Sequence, residues 1–242
     1  MGVAVGSSLL SPILPKKAVH LAILGTASGL TWLNLDGLAV TVQLVANRAQ
    51  PALPTSIFVQ SPADLAPERF GLIDGRLALG DRPIEISRWW QPPRVRESSA
   101  SSSSSRISKT PNVELLLGSG IGLTPEGDDL LAGWLVMARA IGHPALTKVQ
   151  QKVRLTAASR TTLFSARLLE CASEGFGVAP LVAYVDALTS NSNTTQANRE
   201  SLVRVGHSSG AALAKGVEMA FGIPQNGSPA VADYDKERVC AQ

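Results

Sequence analysis

Gly118-Ser119-Gly120-Ile121-Gly122-Leu123-Thr124-Pro125-Glu126-Gly127-Asp128-Asp129 divides this chain into two unlike halves, because a glycine-rich loop runs here into a sharply marked helix start. Ahead of it, Val113 to Leu117 is an apolar run that reads as a strand or buried extended segment. Behind it, Leu130 to Ala140 carries a long apolar helical pattern, so the expected order is strand, glycine loop, helix. Thr124 is a favoured N-cap residue. Pro125 then takes the first helical position, where its missing N–H is no loss, and Glu126, Asp128 and Asp129 place negative charge in the first turns.

The first N–H groups of a helix have no intrahelical partner, and the peptide dipoles add partial positive charge to them. Gly118, Gly120 and Gly122 remove side chains from the approach and permit positive φ, so that successive N–H groups, with Ser119 and Thr124 beside them, can converge on a phosphate or carboxylate. The loop lacks the Lys-Ser/Thr pair of a P-loop, and Leu123 stands where a dinucleotide fingerprint needs its last glycine. The competing reading is a tight turn that needs glycine for geometry and binds nothing. Asp128 and Asp129 weigh against it: neighbours on a helix diverge by about 100°, so both cannot follow one solvent stripe, and at least one is expected at a cleft or in the core. A buried carboxylate needs partners.

Outward from the loop the halves differ. Between Val19 and about Ile86, short apolar runs (Ala18 to Leu24, Leu30 to Leu35, Leu38 to Val45, Ser56 to Val59, Leu72 to Leu79) alternate with turn residues. Asn34-Leu35-Asp36-Gly37 and Asp74-Gly75 are hairpin-type signals, and Val40, Thr41 and Val42 favour a pleated surface. Trp89-Trp90 before Gln91-Pro92-Pro93 reads as an aromatic anchor closing the region. Past Gly118 the pattern is helical: Pro125 to Ile141, Ala145 to Ser159, Thr161 to Glu174, Ala179 to Leu188, Thr195 to Val205 and Ser209 to Phe221, most of them stopped by glycine or proline. The expected fold is α+β, a β-rich N-terminal half packed against an all-helical C-terminal half. The expected divisions are 1–96, a serine-rich flexible linker at 97–111, the glycine loop and helices at 112–225, and a frayed tail at 226–242.

With 242 residues, 45% of them hydrophobic and 17% charged, the chain can bury a substantial core. No apolar run approaches the roughly 20 residues of a membrane helix, and Lys16 and Lys17 follow the apolar opening instead of preceding it as in a secretory signal, so cytoplasm is the expected location. A net charge of +3 spread without a basic stripe or interleaved aromatics argues against a nucleic-acid partner. Cys171 and Cys240 form no redox or metal pattern.

Two further groups carry chemical potential. Arg160-Thr161-Thr162 sets a guanidinium beside two hydroxyls, suited to bidentate capture of a carboxylate or phosphate, and Ser165 lies one turn on; the plain alternative is a charged residue followed by an N-cap. Gly206-His207-Ser208-Ser209-Gly210 is a glycine-bracketed turn in which His207 beside hydroxyls is suited to general acid or base work. A hydrolase triad of His207, a neighbouring serine and Asp128 lacks the Gly-x-Ser-x-Gly elbow.

Three blocks, Gly118 to Gly133, Arg160 to Leu169 and Val205 to Gly216, resemble in order the AllH-like family, formerly a domain of unknown function and associated with a subunit of oxamate carbamoyltransferase. The resemblance is good from Asn112 to Gly222 and weak in the β-rich half, and the serine tract is peculiar to this sequence. It implies carbamoyl transfer between oxamate and carbamoyl phosphate, or phosphorolysis of oxalurate, in anaerobic allantoin breakdown, a branch of purine catabolism, performed with two sister subunits. On that basis the 118–124 loop and Arg160 are expected to hold phosphate or the substrate's carboxylate, with Asp128 or Asp129 accepting from a carbamoyl NH2 and His207 moving a proton. Thr161, Thr162, Ser165, Ser208 and Ser209 complete the expected polar lining. Mg²⁺ is compatible with the acids but demanded by no feature. A noncatalytic metabolite-binding or scaffold subunit is the alternative.

Overall fold

Eight strands and seven helices fill the residues described in the computed structural model, which are 2–27, 30–44, 52–59, 69–97 and 109–224. The serine tract 98–108, Cys240 and the tail from Asn226 lie outside them. The strands are β1 (Gly2–Ser7), β2 (Leu21–Ala27), β3 (Leu30–Leu35), β4 (Leu38–Leu44), β5 (Ser56–Val59), β6 (Phe70–Ile73), β7 (Arg76–Leu79) and β8 (Arg82–Trp90). They form one sheet in the order β2-β3-β4-β5-β1-β8-β7-β6, in which β1 runs parallel to β8 and β4 parallel to β5. The end strands β2 and β6 approach each other, so the sheet curls nearly into a barrel. Its inner face holds Leu33, Leu35, Val40, Val42, Ile57 and Val59, capped by Leu10.

Asp36-Gly37 and Asp74-Gly75 both have positive φ, as tight hairpins require, and Asp36 also accepts from the N–H groups of Val19 and His20. One feature departs from the sequence expectation. The opening segment, read only as mildly apolar, is the central strand β1. Trp89-Trp90, read as an anchor at the end of the β-rich region, ends the sheet's longest strand. The two are linked: a Cβ on Gly6 would come within 2.7 Å of the Trp89 ring, so the residue that makes β1 a poor strand by propensity is what lets the tryptophan lie across it.

The helical half comprises α1 (Val113–Leu116), α2 (Glu126–Ala140), α3 (Leu146–Arg160), α4 (Leu163–Ser173), α5 (Ala179–Thr189), α6 (Thr195–Val203) and α7 (Ser209–Phe221). α1 corrects the strand expected at Val113 to Leu117. Asn112 caps it by accepting from Glu114 N, and Val113 and Leu117, four residues apart, are buried while Glu114 and Leu115 face solvent. The glycine loop therefore joins two helices. α2 is buried everywhere except at Glu126, Leu130 and Arg139, as befits a helix apolar all round. α7 lies against it at contact distance between backbones, because Gly133 faces the Leu213 carbonyl and Gly216 faces that of Leu130, with no room for a Cβ at either.

The halves are stitched together at several places. Residues 93–95 pair with 175–177 through Val95 N to Gly175 O (3.0 Å) and Gly177 N to Pro93 O (3.1 Å), and the Arg94 guanidinium lies 5.3 Å from the Phe176 ring centre. Arg139 reaches Glu97 at 2.9 Å. Trp32 of β3 meets Phe164 of α4 with ring centres 5.8 Å apart.

Candidate functional site

Gly118, Gly120 and Gly122 all adopt positive φ, and at Gly118 a side chain would strike the Arg160 carbonyl. The loop spends some of its amides internally: Gly118 N donates to Asp128 Oδ1 (2.7 Å) and Ser119 N to Leu116 O (2.9 Å). Among the described residues, the backbone N–H groups of Gly120, Ile121, Gly122, Leu123 and Thr124 donate to nothing in the chain. Gly120 to Gly122 face solvent, while Leu123 turns inward onto Gly25 of β2, where an added Cβ would stand 2.9 Å from it.

Pro125, not Thr124, is the N-cap of α2, and no side chain caps this end. Thr124 is drawn elsewhere: its hydroxyl lies 3.2 Å from Ser209 Oγ on α7. Thr162 is the plain N-cap that the sequence left open. Its hydroxyl accepts from Ser165 N (3.0 Å) and donates to Leu123 O (2.6 Å), clamping the loop to the start of α4.

Asp128 and Asp129 are both buried but serve different ends. Asp128 is saturated. Its Oδ1 takes the Gly118 amide, and its Oδ2 takes the Thr161 hydroxyl and the Ser165 hydroxyl, the latter at 2.7 Å. Asp129 is 7% exposed, and its Oδ2 has no hydrogen-bond partner among the described residues. Burial pushes its carboxyl up to about 7; the neighbouring Asp128 charge adds to the rise, and the Ser209 and Thr124 hydroxyls oppose it.

Both acids line a cavity of about 160 Å³ between the sheet and the helices. Its walls are apolar, with Leu30 and Trp32 from β3, Leu53 and Pro54 from the segment before β5, Phe164 and Leu169 from α4, Leu181 from α5 and Leu213 from α7. The polar side chains on it are Thr124, Asp128, Asp129, Ser165 and Ser209. The fold thus gathers five residues singled out in the sequence and keeps others apart. Arg160 is exposed, its guanidinium donating to Glu114 O at 3.0 Å, and it does not line the cavity. His207 and Ser208 are exposed at the start of α7, outside the lining, though Gly206 belongs to it. Among the described residues no three His, Cys, Asp or Glu side chains converge on a point that could hold a metal ion. Cys171 is free and buried, and burial pushes its thiol up to about 11, which makes it inert.

The loop, both aspartates, the Thr162 clamp and the Ser209 turn all fall within one continuous stretch that matches a known family. Residues 116–221 match the AllH family model. The matching family model is described as oxamate carbamoyltransferase subunit AllH. No curated protein and no solved structure matches the chain. The AllH segment runs from the end of α1 to the end of α7, so the sheet that supplies one cavity wall lies outside it. Its description is that of a subunit, which implies a multi-subunit enzyme, and no helix among the described residues is long and apolar enough to cross a membrane.

The apolar wall was missed in the sequence. One signal for it exists: Trp32 alternates with Thr31 and Leu33, so it must face away from the barrel interior, and a tryptophan on that face needs a cover. Phe176, Leu181 and Leu213 give no such signal, being ordinary helix and turn residues until the fold brings them to one place.

Proposed function

We propose that this chain is a subunit of a carbamoyltransferase-type enzyme, that the cavity is its substrate site, and that Asp129 is the residue facing the amide nitrogen. The observation that carries the reading is a carboxylate buried in an apolar cavity of the AllH segment with one oxygen unsatisfied and an affinity for protons poised near neutrality. Carbamoyl transfer to an amide needs such a group. The amide nitrogen attacks the carbamoyl carbon, the bond from that carbon to the phosphate oxygen breaks, phosphate leaves with the electron pair, and the nitrogen's proton passes to Asp129. Asp128 is ill suited to this step, since three donors already occupy it. The unspent amides of Gly120 to Thr124 offer phosphate a place beside the cavity, because the loop ends in Thr124, which lines it. Oxamate and carbamoyl phosphate are the substrates that the family description favours, with allantoin degradation as the setting.

A second reading rests on an equally specific observation: among the described residues no Arg, Lys or His lines the cavity. On it the chain binds an anionic metabolite as a noncatalytic subunit, and sister subunits bring the charge that completes the site. Release of phosphate from carbamoyl phosphate and oxamate, measured for the chain alone and with its co-purified partners, tests both. Under the first reading Asp129→Asn lowers turnover by about 100-fold or more in a folded protein. Turnover by the assembled enzyme that is indifferent to Asp129→Asn would leave only the second.

A further inference from the structure

We infer that the corner where the glycine loop meets α1, the end of α3 and the start of α4 is the docking face for a sister subunit, which offers an apolar groove to Ile121 and an acidic border to α3. This rests on the reading of the chain as a subunit and goes beyond it by placing the partner. Among the described residues nine large apolar side chains are exposed, and four of them, Leu115, Ile121, Leu155 and Leu163, belong to this corner. Single exposed apolar residues are ordinary, whereas a group on one face marks an interaction surface. Ile121 is 95% exposed and Leu155 75%, so the chain's own core uses neither.

The contacts among the four segments bring these residues together. A side chain at Gly118 would strike the Arg160 carbonyl, and Leu123 O accepts from the Thr162 hydroxyl at 2.6 Å. Both ends of the loop are thus fixed on the α3–α4 junction, next to Leu163, and Ile121 projects from its middle. Glu114 O accepts from Arg160 Nη2 (3.0 Å) and Glu114 Oε1 pairs with Lys152 Nζ (2.8 Å), which sets Leu115 against the same junction, with Leu155 one turn on from Lys152. The loop is close-packed as well as tethered, since a Cβ on Gly120, at φ +116°, would come within 2.7 Å of Glu126 N. A bulky apolar side chain held out on a fixed loop has the form of an interface anchor.

The surrounding charge says what covers it. α3 carries Lys148, Lys152, Arg154 and Arg160 and no acid, and of these only Lys152 has an ion-pair partner among the described residues. Asp or Glu side chains of a partner facing Lys148 and Arg154 meet that excess. Those two lie about 9 Å or more back along α3 from Arg160, so the acids stay clear of the phosphate proposed for the loop amides. A second copy of the chain seated on its own patch would set like charges together. An anionic membrane would suit the cations and Ile121, but it would draw into hydrocarbon the N–H groups of Gly120 to Gly122, or a phosphate held by them. A protein surface avoids this. Thr124, three residues on from Ile121, lines the cavity, so the partner stands beside the substrate site.

The test starts from the complex that a tagged copy of the full chain draws from its own cells, taken forward where it releases phosphate from carbamoyl phosphate. Its other subunits are purified and recombined with variant chains, and affinity is read by sedimentation. Leu155→Asp, Ile121→Ser and Arg154→Glu are each expected to weaken association about tenfold or more, and added salt to weaken it further. Val203→Asp, at an exposed apolar residue of α6 outside the corner, is expected to leave it unchanged. All four positions are exposed, and circular dichroism confirms that each variant is folded. An active complex whose assembly is indifferent to Leu155→Asp and Ile121→Ser, or is weakened as much by Val203→Asp, overturns the inference and leaves the subunit reading standing. So does binding of the lone chain to vesicles of anionic phospholipid, or to itself, that these changes abolish. A chain that retains no other subunit in any active fraction would remove the subunit reading, and this inference with it.

Discussion

Asp128 and Asp129 share a peptide bond yet are held differently, and the difference lies in how many donors reach each. Asp128 accepts from an amide and two hydroxyls. Replacing it with alanine strands those donors and unlocks the loop from α2 and α4; the expected loss is about 3 kcal/mol or more in denaturant unfolding, and a loss below 1 kcal/mol would mean that water replaces the carboxylate freely. Asp129 is a stability liability at neutral pH. Its folded-state affinity for the proton is raised from 3.8 to about 7, so the folded protein binds more protons than the unfolded chain between those values. Its contribution is therefore complete below about pH 4 and is lost as pH rises to 7, a difference of roughly 4 kcal/mol at most. Asp129→Asn should thus be more stable than the natural protein at pH 8, and the gap should close by pH 4. Melting curves of the two across that range check this; parallel curves would show that the carboxyl titrates normally. That a residue proposed to act on substrate should weaken the fold is the expected sign for a functional group.

Among the elements, α2 and α7 depend on glycine where most helix pairs depend on interlocking side chains. Gly133 and Gly216 each face a carbonyl of the partner helix with no space for a methyl group, so Gly133→Ala and Gly216→Ala should each destabilise by about 3 kcal/mol despite alanine's better helix propensity. Gly71 in β6 is the control, since a Cβ there meets nothing and its φ is ordinary; Gly71→Ala should change stability by less than about 1 kcal/mol. Equal effects at all three positions would remove the close-packing argument. This level of the structure was also the most legible in the sequence. Six helices were legible, four of them marked by glycine or proline stops, and both Asp-Gly hairpins were plain. Val113 to Leu117 misled because five residues are too few to separate a buried helical turn from a strand, and Asn112, which decides it, reads equally well as a turn residue. β1 was hidden because Gly2 and Gly6 suppress its strand signal. At the site, the aspartates and the Thr162 cap were readable from local chemistry. The cavity was not, because its wall is assembled from β3, the segment before β5 and four helices that no local pattern connects.

At the scale of the whole molecule, the cavity lies where the two halves meet, so its shape depends on how firmly the barrel-like sheet is held to the helices. Trp32 and Phe164 make the contact across that seam, at 5.8 Å and a 60° tilt, and both line the cavity. Leu123 of the glycine loop seated on Gly25 adds a second point of attachment close by. If these contacts make the halves one cooperative unit, removal of either ring should be felt by both. A double-mutant cycle with Trp32→Ala and Phe164→Ala should then give a coupling of about 1 kcal/mol, the range for tilted aromatic pairs. Each variant should still unfold in a single transition seen at the same denaturant concentration by far-ultraviolet dichroism and by fluorescence of the remaining tryptophans. Trp89 and Trp90 report on the sheet, and Trp134, buried in α2, reports on the helices. A coupling near zero with two separated transitions would show the halves folding independently. The wall made by Leu30, Trp32, Leu53 and Pro54 would then be a cover that comes and goes, and access to Asp129 would be set by the docking of one half on the other.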